Sequence, residues 1–556
     1  MKWIRLSAPF TLGLFISIVA LLLLSRSETV LEAQSDWPPI HKNLSASYVD
    51  STNADIEVAK LQDGSKVVVV VWMEGQSDVE IIGSIKMRWK FEGQTGTWRI
   101  SSSQMFPVAE GGNAYGYPAL ALYPSGNQVY AHVVWLKKDS QNNQQIVYKR
   151  CTLTKTNVTC DSAETISWQN STAPDIAVDG SGVPHVVWQQ KIGNLDAIYY
   201  TNKPITGTWG IPWAIHTPQG VLGVDYLRAL GQSPKIAVYG APGTPGSVVA
   251  VTWDRQIAPV GTGEPPGLFN YLGTWFARRD TLGQVGTGDE EADHWELTPI
   301  SQPSASTIQD EIEDSRPRLA AGQTGIYVMW DRLISQGPGV VVFKRTYDLA
   351  YRVFLPPFTN TVKTGWWPGP EAIPSTSPYI PSYQAPYSAT TWVPAGVAGT
   401  DQDLYSGARP AVQIARSGSS DQLHIAWQRS ADIGTGSMAT NGSADLGISG
   451  EGDVNDYPLQ VWHAVATHTL SSGNMAVSAW ASRQITVQQP VNGFFAAPDL
   501  AVLAGDGPPH PHIALLDRFK TTSAYAWDVW YVNDKTFNTA DRDPTIYLPI
   551  VLKNYY

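Results

Sequence analysis

Arginine recurs next to the ends of apolar segments in this 556-residue chain. Four arginines follow Asp or Gln where an apolar segment ends, and two more stand where an apolar segment begins. A guanidinium group offers a planar fork of donors that suits carboxylate and sulfate groups. If the fold brings these side chains to one rim, they predict an anion-binding site. The six candidates are Arg255, Arg332, Arg429, Arg518, Arg316 and Arg409.

The apolar segments beside these arginines belong to a phrase that occurs seven times. Each copy has a small or proline-led apolar strand, a turn, and a second apolar strand that usually ends in Trp and a polar pair. Such recurrence indicates stacked supersecondary units, because one unit cannot bury its apolar face alone. The copies span residues 54–74, 117–136, 173–190, 233–255, 316–332, 409–429 and 497–518.

A third, aromatic-rich strand follows each phrase, and a fourth often contains Trp. With 48 Gly, 39 Pro and few charges, this pattern predicts an all-β fold, a seven-bladed β-propeller of four-stranded antiparallel blades over residues 36–533. Blade seven lacks a fourth strand after Asn533. Residues 36–40 match the fourth-strand pattern, so we expect an N-terminal strand to complete blade seven and close the ring. All six arginines would then lie on one face around the channel.

Segments outside the phrase carry further predictions. Residues 1–27 contain Lys2 and Arg5 before an apolar run, which predicts a signal peptide or an N-terminal anchor. Residues 541–556 form a tail that resembles those of secreted bacterial surface proteins; a final strand on the propeller side is the alternative. Residues 346–407 interrupt the repeat between blades five and six, and long loops in compact domains are often functional. The aromatic residues of this segment predict a binding platform or lid; they include Trp366, Trp367 and Trp392.

The only two cysteines of the chain are Cys151 and Cys160. A four-residue turn at residues 154–157 would place them directly opposite each other on a hairpin, close enough for a disulfide. An exported compartment would allow the bond to form. We therefore predict a disulfide, with two free thiols as the alternative.

Charge and metal-ligand patterns narrow the partners. A net charge of -11 argues against nucleic-acid binding, which needs a clustered basic surface. No cofactor or metal is expected, although the acidic runs at residues 289–291, 310–311 and 453–456 leave calcium as an alternative to solvated loops. Equivalent second-strand histidines predict packing or hydrogen bonding between blades; they are His132, His185, His424 and His512.

Residues 173–188 and 197–200, APDIAVDGSGVPHVVW and AIYY, resemble the repeats of sialidase-like β-propellers of the BNR type. In a sialidase, this resemblance implies three arginines that clamp a carboxylate, a Tyr nucleophile activated by Glu, and an Asp acid/base. The turn Asp179-Gly180-Ser181-Gly182 departs from the family's Asp-containing box. Arg316-Pro317-Arg318 and Arg409-Pro410-Ala411 only partly match its Arg-Ile-Pro motif.

Three functions are compatible with these residues. The favoured one is a secreted or cell-surface propeller, expected to be monomeric and non-catalytic, that binds a glycan or an extracellular protein at the channel mouth. The first alternative is a sialidase-like glycoside hydrolase or lyase that holds an acidic sugar with Arg255, Arg332 and Arg429. The second is a structural surface-layer component.

Membrane contact is expected only through an uncleaved N-terminal segment. The Asp-Arg pairs could also be salt bridges that tie neighbouring blades.

Overall fold

The computed structural model is built of β-strands, and the residues that it describes contain no helix. The predicted export segment (1–27), the tail (541–556), the three acidic runs and Trp392 lie outside the described residues. Among the described residues, no helix is long and apolar enough to cross a membrane. The structure describes residues 42–45, 50–76, 82–91, 106–109, 114–139, 141, 143–192, 195–204, 207–216, 234–240, 247–257, 271–280, 295–300, 312–336, 344–356, 366–367, 407–430, 459–472, 474–478, 480–485, 494–505, 507–520 and 525–533.

The strands form seven antiparallel sheets, one for each copy of the phrase. The first strand of the chain, β1 (Lys42–Asn43), belongs to the last sheet. Blade one consists of β2 (Asp50–Lys60), β3 (Lys66–Gln76), β4 (Ile82–Phe91) and β5 (Phe106–Ala109). Blade two consists of β6 (Ala114–Ser125), β7 (Gln128–Lys138), β8 (Gln144–Leu153), β9 (Val158–Cys160) and β10 (Glu164–Thr165). Blade three consists of β11 (Ser171–Val178), β12 (Pro184–Ile192), β13 (Leu195–Asn202) and β14 (Trp213–His216).

The remaining four sheets repeat this order. Blade four consists of β15 (Lys235–Tyr239), β16 (Val248–Ile257), β17 (Tyr271–Asp280) and β18 (Glu296–Pro299). Blade five consists of β19 (Ile312–Ala321), β20 (Ile326–Gln336), β21 (Lys344–Phe354) and β22 (Trp366–Trp367). Blade six consists of β23 (Gly407–Ser417), β24 (Ser420–Ser430), β25 (Leu459–Ser471), β26 (Asn474–Val477) and β27 (Ala481–Gln484). Blade seven consists of β28 (Phe494–Gly505), β29 (Gly507–Lys520), β30 (Tyr525–Asn533) and β1. The protein is therefore a seven-bladed β-propeller, as the repeat predicts.

A β-bulge lies near the start of the first strand in six blades, where two residues oppose one on the second strand. The first bulge residue has a positive φ in four of them: 50° at Asn53, 48° at Tyr117, 47° at Ala173 and 53° at Arg316. The opposing residue is the Trp that ends the second strand of the phrase, except in blade seven. The sets are Asn53-Ala54 with Trp72, Tyr117-Pro118 with Trp135, Ala173-Pro174 with Trp188, Arg316-Pro317 with Trp330, Arg409-Pro410 with Trp427, and Ala497-Pro498 with Leu515.

These tryptophans fill the interfaces between blades. Trp72 packs with blade-seven residues, Trp135 with blade one and Trp188 with blade two, so each ring lies against the preceding blade. All six tryptophans of the phrase are at most 2% exposed. Burial of a large aromatic side chain stabilises a fold by about 2–3 kcal/mol. The repeated Trp therefore joins one blade to the next.

Blade seven also contacts blade one. Apolar side chains of both blades, including Trp72 and Tyr531, form one cluster. The carboxylate of Asp499 in blade seven accepts the backbone N–H of Ile56 in blade one at 2.8 Å. The last blade is therefore packed and hydrogen-bonded to the first.

The fourth strand of blade seven comes from the N-terminal region. Lys42 pairs with Tyr531 and Asn43 with Trp530. The buried carboxylate of Asp528 accepts hydrogen bonds of 2.7 Å from both Asn43 Nδ2 and Ser45 Oγ. The segment predicted for this role, residues 36–40, lies outside the described residues, so its part in closing the ring stays a prediction.

Blade five extends further along the chain than its sequence pattern indicates. The third strand is predicted at residues 341–345, but β21 continues to Phe354, and Trp367 of β22 pairs with Val353. Tyr351 faces the interface with blade six and Ala350 that with blade four. Both faces are thus buried, which removes the polar alternation by which strands are recognised. The first part of the 346–407 segment is therefore blade structure.

The predicted disulfide is confirmed. Cys151 of β8 and Cys160 of β9 lie directly opposite each other and are bonded. The turn between them is closed by the N–H of Thr154, which donates to the carbonyl oxygen of Asn157 at 2.9 Å.

Loss of the Asp528 carboxylate should release the N-terminal segment from blade seven. Asp528→Ala leaves the donors of Asn43 and Ser45 without this acceptor, and we expect the free energy of unfolding to fall by about 1–3 kcal/mol. The control is Asp161→Ala, because the ion pair of Asp161 with Arg150 is exposed and such pairs contribute about 1 kcal/mol or less. Urea unfolding measures both; equal shifts would contradict the anchoring role.

Removal of the disulfide should destabilise blade two. The bond links residues separated by 9 positions, and closing a loop of this length stabilises a fold by about 2–3 kcal/mol. We expect the double variant Cys151→Ser/Cys160→Ser to lose this amount in urea unfolding. Wild-type protein unfolded with a reducing agent is the control and should match the variant. An oxidised wild type no more stable than the variant would refute the prediction.

Candidate functional site at the channel-mouth rim

We define the rim as the end of the blades where first strands begin and second strands end. Strand register places three of the six candidate arginines at one repeated position. Arg255, Arg332 and Arg429 each stand two residues after the Trp of the second strand, in blades four, five and six. Three consecutive blades thus carry arginine at the same place on the rim.

Arg518 does not share that register. Leu515 opposes the bulge of blade seven and so takes the place of the Trp. Arg518 is therefore the third residue after the Trp position, one step beyond the other three arginines. Because side chains alternate along a strand, a shift of one residue changes the face to which a position belongs. The repeated polar ending of the phrase concealed this difference.

The two first-strand arginines occupy bulges. Arg316 and Arg409 are the first bulge residues of blades five and six. The N–H of Arg316 donates to the carboxylate of Asp254 in blade four at 3.1 Å. The aspartate of one Asp-Arg pair thus ties two blades together. The side chain of Arg316 is half-buried; those of Arg255, Arg332, Arg409, Arg429 and Arg518 lie outside what the structure describes.

Blade three shows how a side chain at the arginine position can serve the fold. Gln190, the counterpart of Arg255, is 4% exposed. Its Nε2 donates to the carbonyl oxygen of Gln169 at 2.6 Å, and its Oε1 accepts from Trp188 Nε1 at 3.3 Å. The position therefore faces the loop that precedes the first strand of its own blade.

Carboxyl groups on the innermost strands join neighbouring blades. Three aspartates stand directly after the bulge and accept a backbone N–H from the next blade: Asp55 from Leu120 at 2.6 Å, Asp175 from Ile236 at 2.8 Å, and Asp499 from Ile56. None of the three is among the candidate residues that the sequence pattern indicates. Their signal is an Asp after the small or proline-led start of the phrase in blades one, three and seven.

Burial changes the ionisation of these inner carboxyls. Desolvation, followed by the charge of Asp499 and a hydrogen bond with it, raises the pKa of Asp55 well above its usual range. Desolvation and the charge of Asp499 raise the pKa of Glu57 to about 8. Lys235 reduces the local charge, since its Nζ lies 2.9 Å from the carboxylate of Asp175. Burial therefore favours the neutral form of both Asp55 and Glu57.

Trp366 and Trp367 are packed within and between blades. Trp366 lies edge-on to Phe276 of blade four at 4.9 Å and beneath the guanidinium of Arg352 at 5.4 Å. Trp367 packs against Tyr351 and His468. This placement gives both rings a structural role in blade five.

The predicted histidines are buried, and the bonds observed join neighbouring strands of one blade. His132 Nδ1 lies 2.8 Å from the hydroxyl of Tyr148, and the same His–Tyr pair recurs in blades three and seven, while His424 pairs with His463. Burial lowers the pKa of His132 to about 3, so this ring is neutral. Within the described part of the chain, no group of three His, Cys, Asp or Glu side chains could hold a metal ion.

Comparison with known proteins finds similarity in structure alone. No protein-family model and no curated protein matches the chain. A polysaccharide lyase described as an ulvan lyase is 11% identical with a TM-score of 0.43, covering 88% of this chain and 96% of that chain. The Trypanosoma rangeli sialidase in complex with sialic acid is 10% identical with a TM-score of 0.33, covering 91% and 60%. A Hadza microbial sialidase is 10% identical with a TM-score of 0.33, covering 84% and 77%. At these sequence identities and TM-scores, no residue of the rim is matched to a residue of those proteins.

The raised pKa of Glu57 predicts that this residue stabilises the folded state more in acid than at neutral pH. Because the pKa of Glu57 is raised from 4.5 to about 8, the folded state holds this proton more tightly than the unfolded chain. The contribution of Glu57 to the free energy of unfolding should therefore fall as the pH rises through this interval. In urea unfolding, the free energy of wild type relative to Glu57→Gln should decline across the interval, whereas Asp161→Asn on the exposed hairpin should give a profile parallel to wild type. A Glu57→Gln profile parallel to wild type would refute the assignment.

Proposed function

We propose that the protein is an exported or cell-surface propeller that binds an acidic glycan at the rim and does not cleave it. The observation that carries this proposal is the common register of Arg255, Arg332 and Arg429 in three consecutive blades. Arg316 and Arg409 stand at the bulges of two of these blades. We call these five residues the arginine arc.

Charge supports an anionic ligand. The chain has a net charge of -11, so five arginines on one side of the rim are a local exception. A guanidinium fork binds carboxylate or sulfate through paired hydrogen bonds, and hydrogen bonds to charged groups contribute about 1.5–3 kcal/mol each. Uronic, sialic and sulfated sugars carry such groups, so the arginines favour an acidic glycan as the ligand.

Two features support export. The disulfide of blade two requires an oxidising compartment to form and persist. The N-terminal residues 1–27 have the charge and apolar pattern of an export signal or anchor. Glycans of cell surfaces and extracellular matrices would then be accessible to the rim.

Catalysis is the second candidate because two carboxyls with shifted ionisation lie on the innermost strand of blade one. Asp55 and Glu57 have raised pKa values, a property of general acids in glycoside cleavage. However, Asp55 accepts the N–H of Leu120 and is hydrogen-bonded to Asp499. Its contacts therefore belong to the joint between blades, and binding without cleavage remains our proposal.

The arginine arc is tested by a matched pair of substitutions in one blade. Arg429→Ala removes a charge at the rim of blade six, and Arg416→Ala removes an exposed charge at the opposite end of the same blade. With sialyllactose and a chondroitin sulfate oligosaccharide in isothermal titration calorimetry, we expect Arg429→Ala to weaken binding about tenfold or more. Arg332→Ala should behave alike, and Arg416→Ala should bind as wild type does.

The same titrations, together with an assay for glycan cleavage, separate the alternative functions. Equal affinities of Arg429→Ala and Arg416→Ala would refute the arc as the binding site. Release of dye from a fluorogenic sialoside, or unsaturated uronate products, would replace the binding proposal with an enzymatic one. Absence of both binding and cleavage would favour a structural component. If Arg429 serves only to join neighbouring blades, Arg429→Ala would lower the melting temperature without changing the affinity for either oligosaccharide.

A further inference from the structure

Blade three, which precedes the first blade of the arginine arc, presents an exposed tryptophan at the rim. Trp168 lies in the loop that leads into β11, and its side chain is 50% exposed. The next two residues, Gln169 and Asn170, are also exposed. Across the strand pair, Lys191 and Ile192 at the end of β12 are exposed as well. An aromatic ring, two amides and a cation are thus exposed at neighbouring positions of the loop and the strand beside it.

Buried side chains hold the backbone of this loop. The hydroxyls of Ser167 and Ser171 donate to the carbonyl oxygen of Trp168 at 3.0 and 2.8 Å. Gln190 Nε2 donates to the next carbonyl oxygen, that of Gln169, at 2.6 Å. The N–H of Lys191 donates to the third, that of Asn170, at 2.9 Å. Three successive carbonyls are bonded, so the loop has one defined conformation.

The tryptophan ring is also supported from one side. Trp168 meets Tyr199 edge to face at 5.5 Å, and Tyr199 stacks on the buried Trp188 at 6.0 Å. Such aromatic contacts orient a ring beyond what apolar burial alone does. Asn170 has a φ of 65°, a left-handed turn conformation that Asn adopts more readily than most other non-glycine residues. A turn, a buried polar network and a ring contact thus hold an apolar ring exposed to solvent.

Single exposed apolar residues on a surface need no explanation, but a rigidly held one has a use in binding. A fixed aromatic ring covers a large area and loses little conformational entropy when a ligand docks. The face of a sugar ring is apolar, and its hydroxyls pair with amide groups such as those of Gln169 and Asn170. Lys191 adds a charge that complements an acidic sugar.

We infer that Trp168, with Gln169, Asn170 and Lys191, forms a sugar-stacking subsite of an acidic glycan. The inference rests on the proposed function, because blade three neighbours blade four and its Arg255. The arginine arc would bind the acidic group of one sugar, and Trp168 would stack on the ring face of another sugar of the same glycan. The glycan would therefore span several blades of the rim.

The test uses the full chain with its disulfide and two oligosaccharide probes. Wild type, Trp168→Ala, Trp168→Phe and Ile211→Ala are titrated with sialyllactose and a chondroitin sulfate oligosaccharide. Ile211 is a matched control, since it is 76% exposed at the opposite end of blade three. We expect Trp168→Ala to weaken binding about tenfold or more, Trp168→Phe to retain affinity within about threefold, and Ile211→Ala to be unchanged.

The outcomes distinguish this inference from the proposed function. If Trp168→Ala binds the probes as tightly as wild type and Arg429→Ala loses affinity, the subsite is overturned and the arginine arc is supported. If Trp168→Ala loses affinity and Arg429→Ala binds as tightly as wild type, the subsite is supported and the arc is overturned. A wild type that binds neither probe would overturn both. A change in sedimentation state of Trp168→Ala without a change in affinity would assign the surface to self-association and also overturn the subsite. Near-ultraviolet circular dichroism confirms that each variant is folded.

Discussion

The fold depends on a bulge that faces a tryptophan. In five blades, two residues at the start of the first strand oppose one Trp of the second, and in blade seven they oppose Leu515. The bulge strains the backbone, as the positive φ of Tyr117 and Ala173 indicates. Burial of the Trp against the preceding blade offsets that strain. The interface between blades and the shape of the rim therefore arise from the same few residues.

Polar groups on the innermost strands complete the junctions between blades. A strand at the edge of a sheet has backbone N–H groups without a partner strand. Asp55, Asp175 and Asp499 accept such groups from the following blade. Burial at these junctions, and then the charge of Asp499, raise the pKa of Asp55 and Glu57. The raised pKa values of these two carboxyls are thus a consequence of how the blades are joined.

The rim has two chemically different sides. Blades four to six carry the arginine arc, whereas blade three carries an aromatic ring held by Ser167, Ser171 and Gln190. The same register position is arginine in the first group and a buried glutamine in the second. A repeated architecture thus permits ligand chemistry to vary from blade to blade while the strands stay equivalent. An acidic glycan matches both sides, because it combines anionic groups with apolar ring faces.

The repeat was enough to predict seven blades and the strand pairs of each phrase, and the hairpin spacing of Cys151 and Cys160 was enough to predict their bond, because all of these depend on contacts near in sequence. The neighbours of a side chain could not be predicted in this way. Trp366 and Trp367 suggested a platform, yet they pack within and between blades, and Trp168 lies outside the phrase but is exposed at the rim. Arg518 fits the sequence pattern but differs in register by one residue. Burial, register and the pKa shifts that burial causes depend on which strands meet across the ring, and only the tertiary structure decides that.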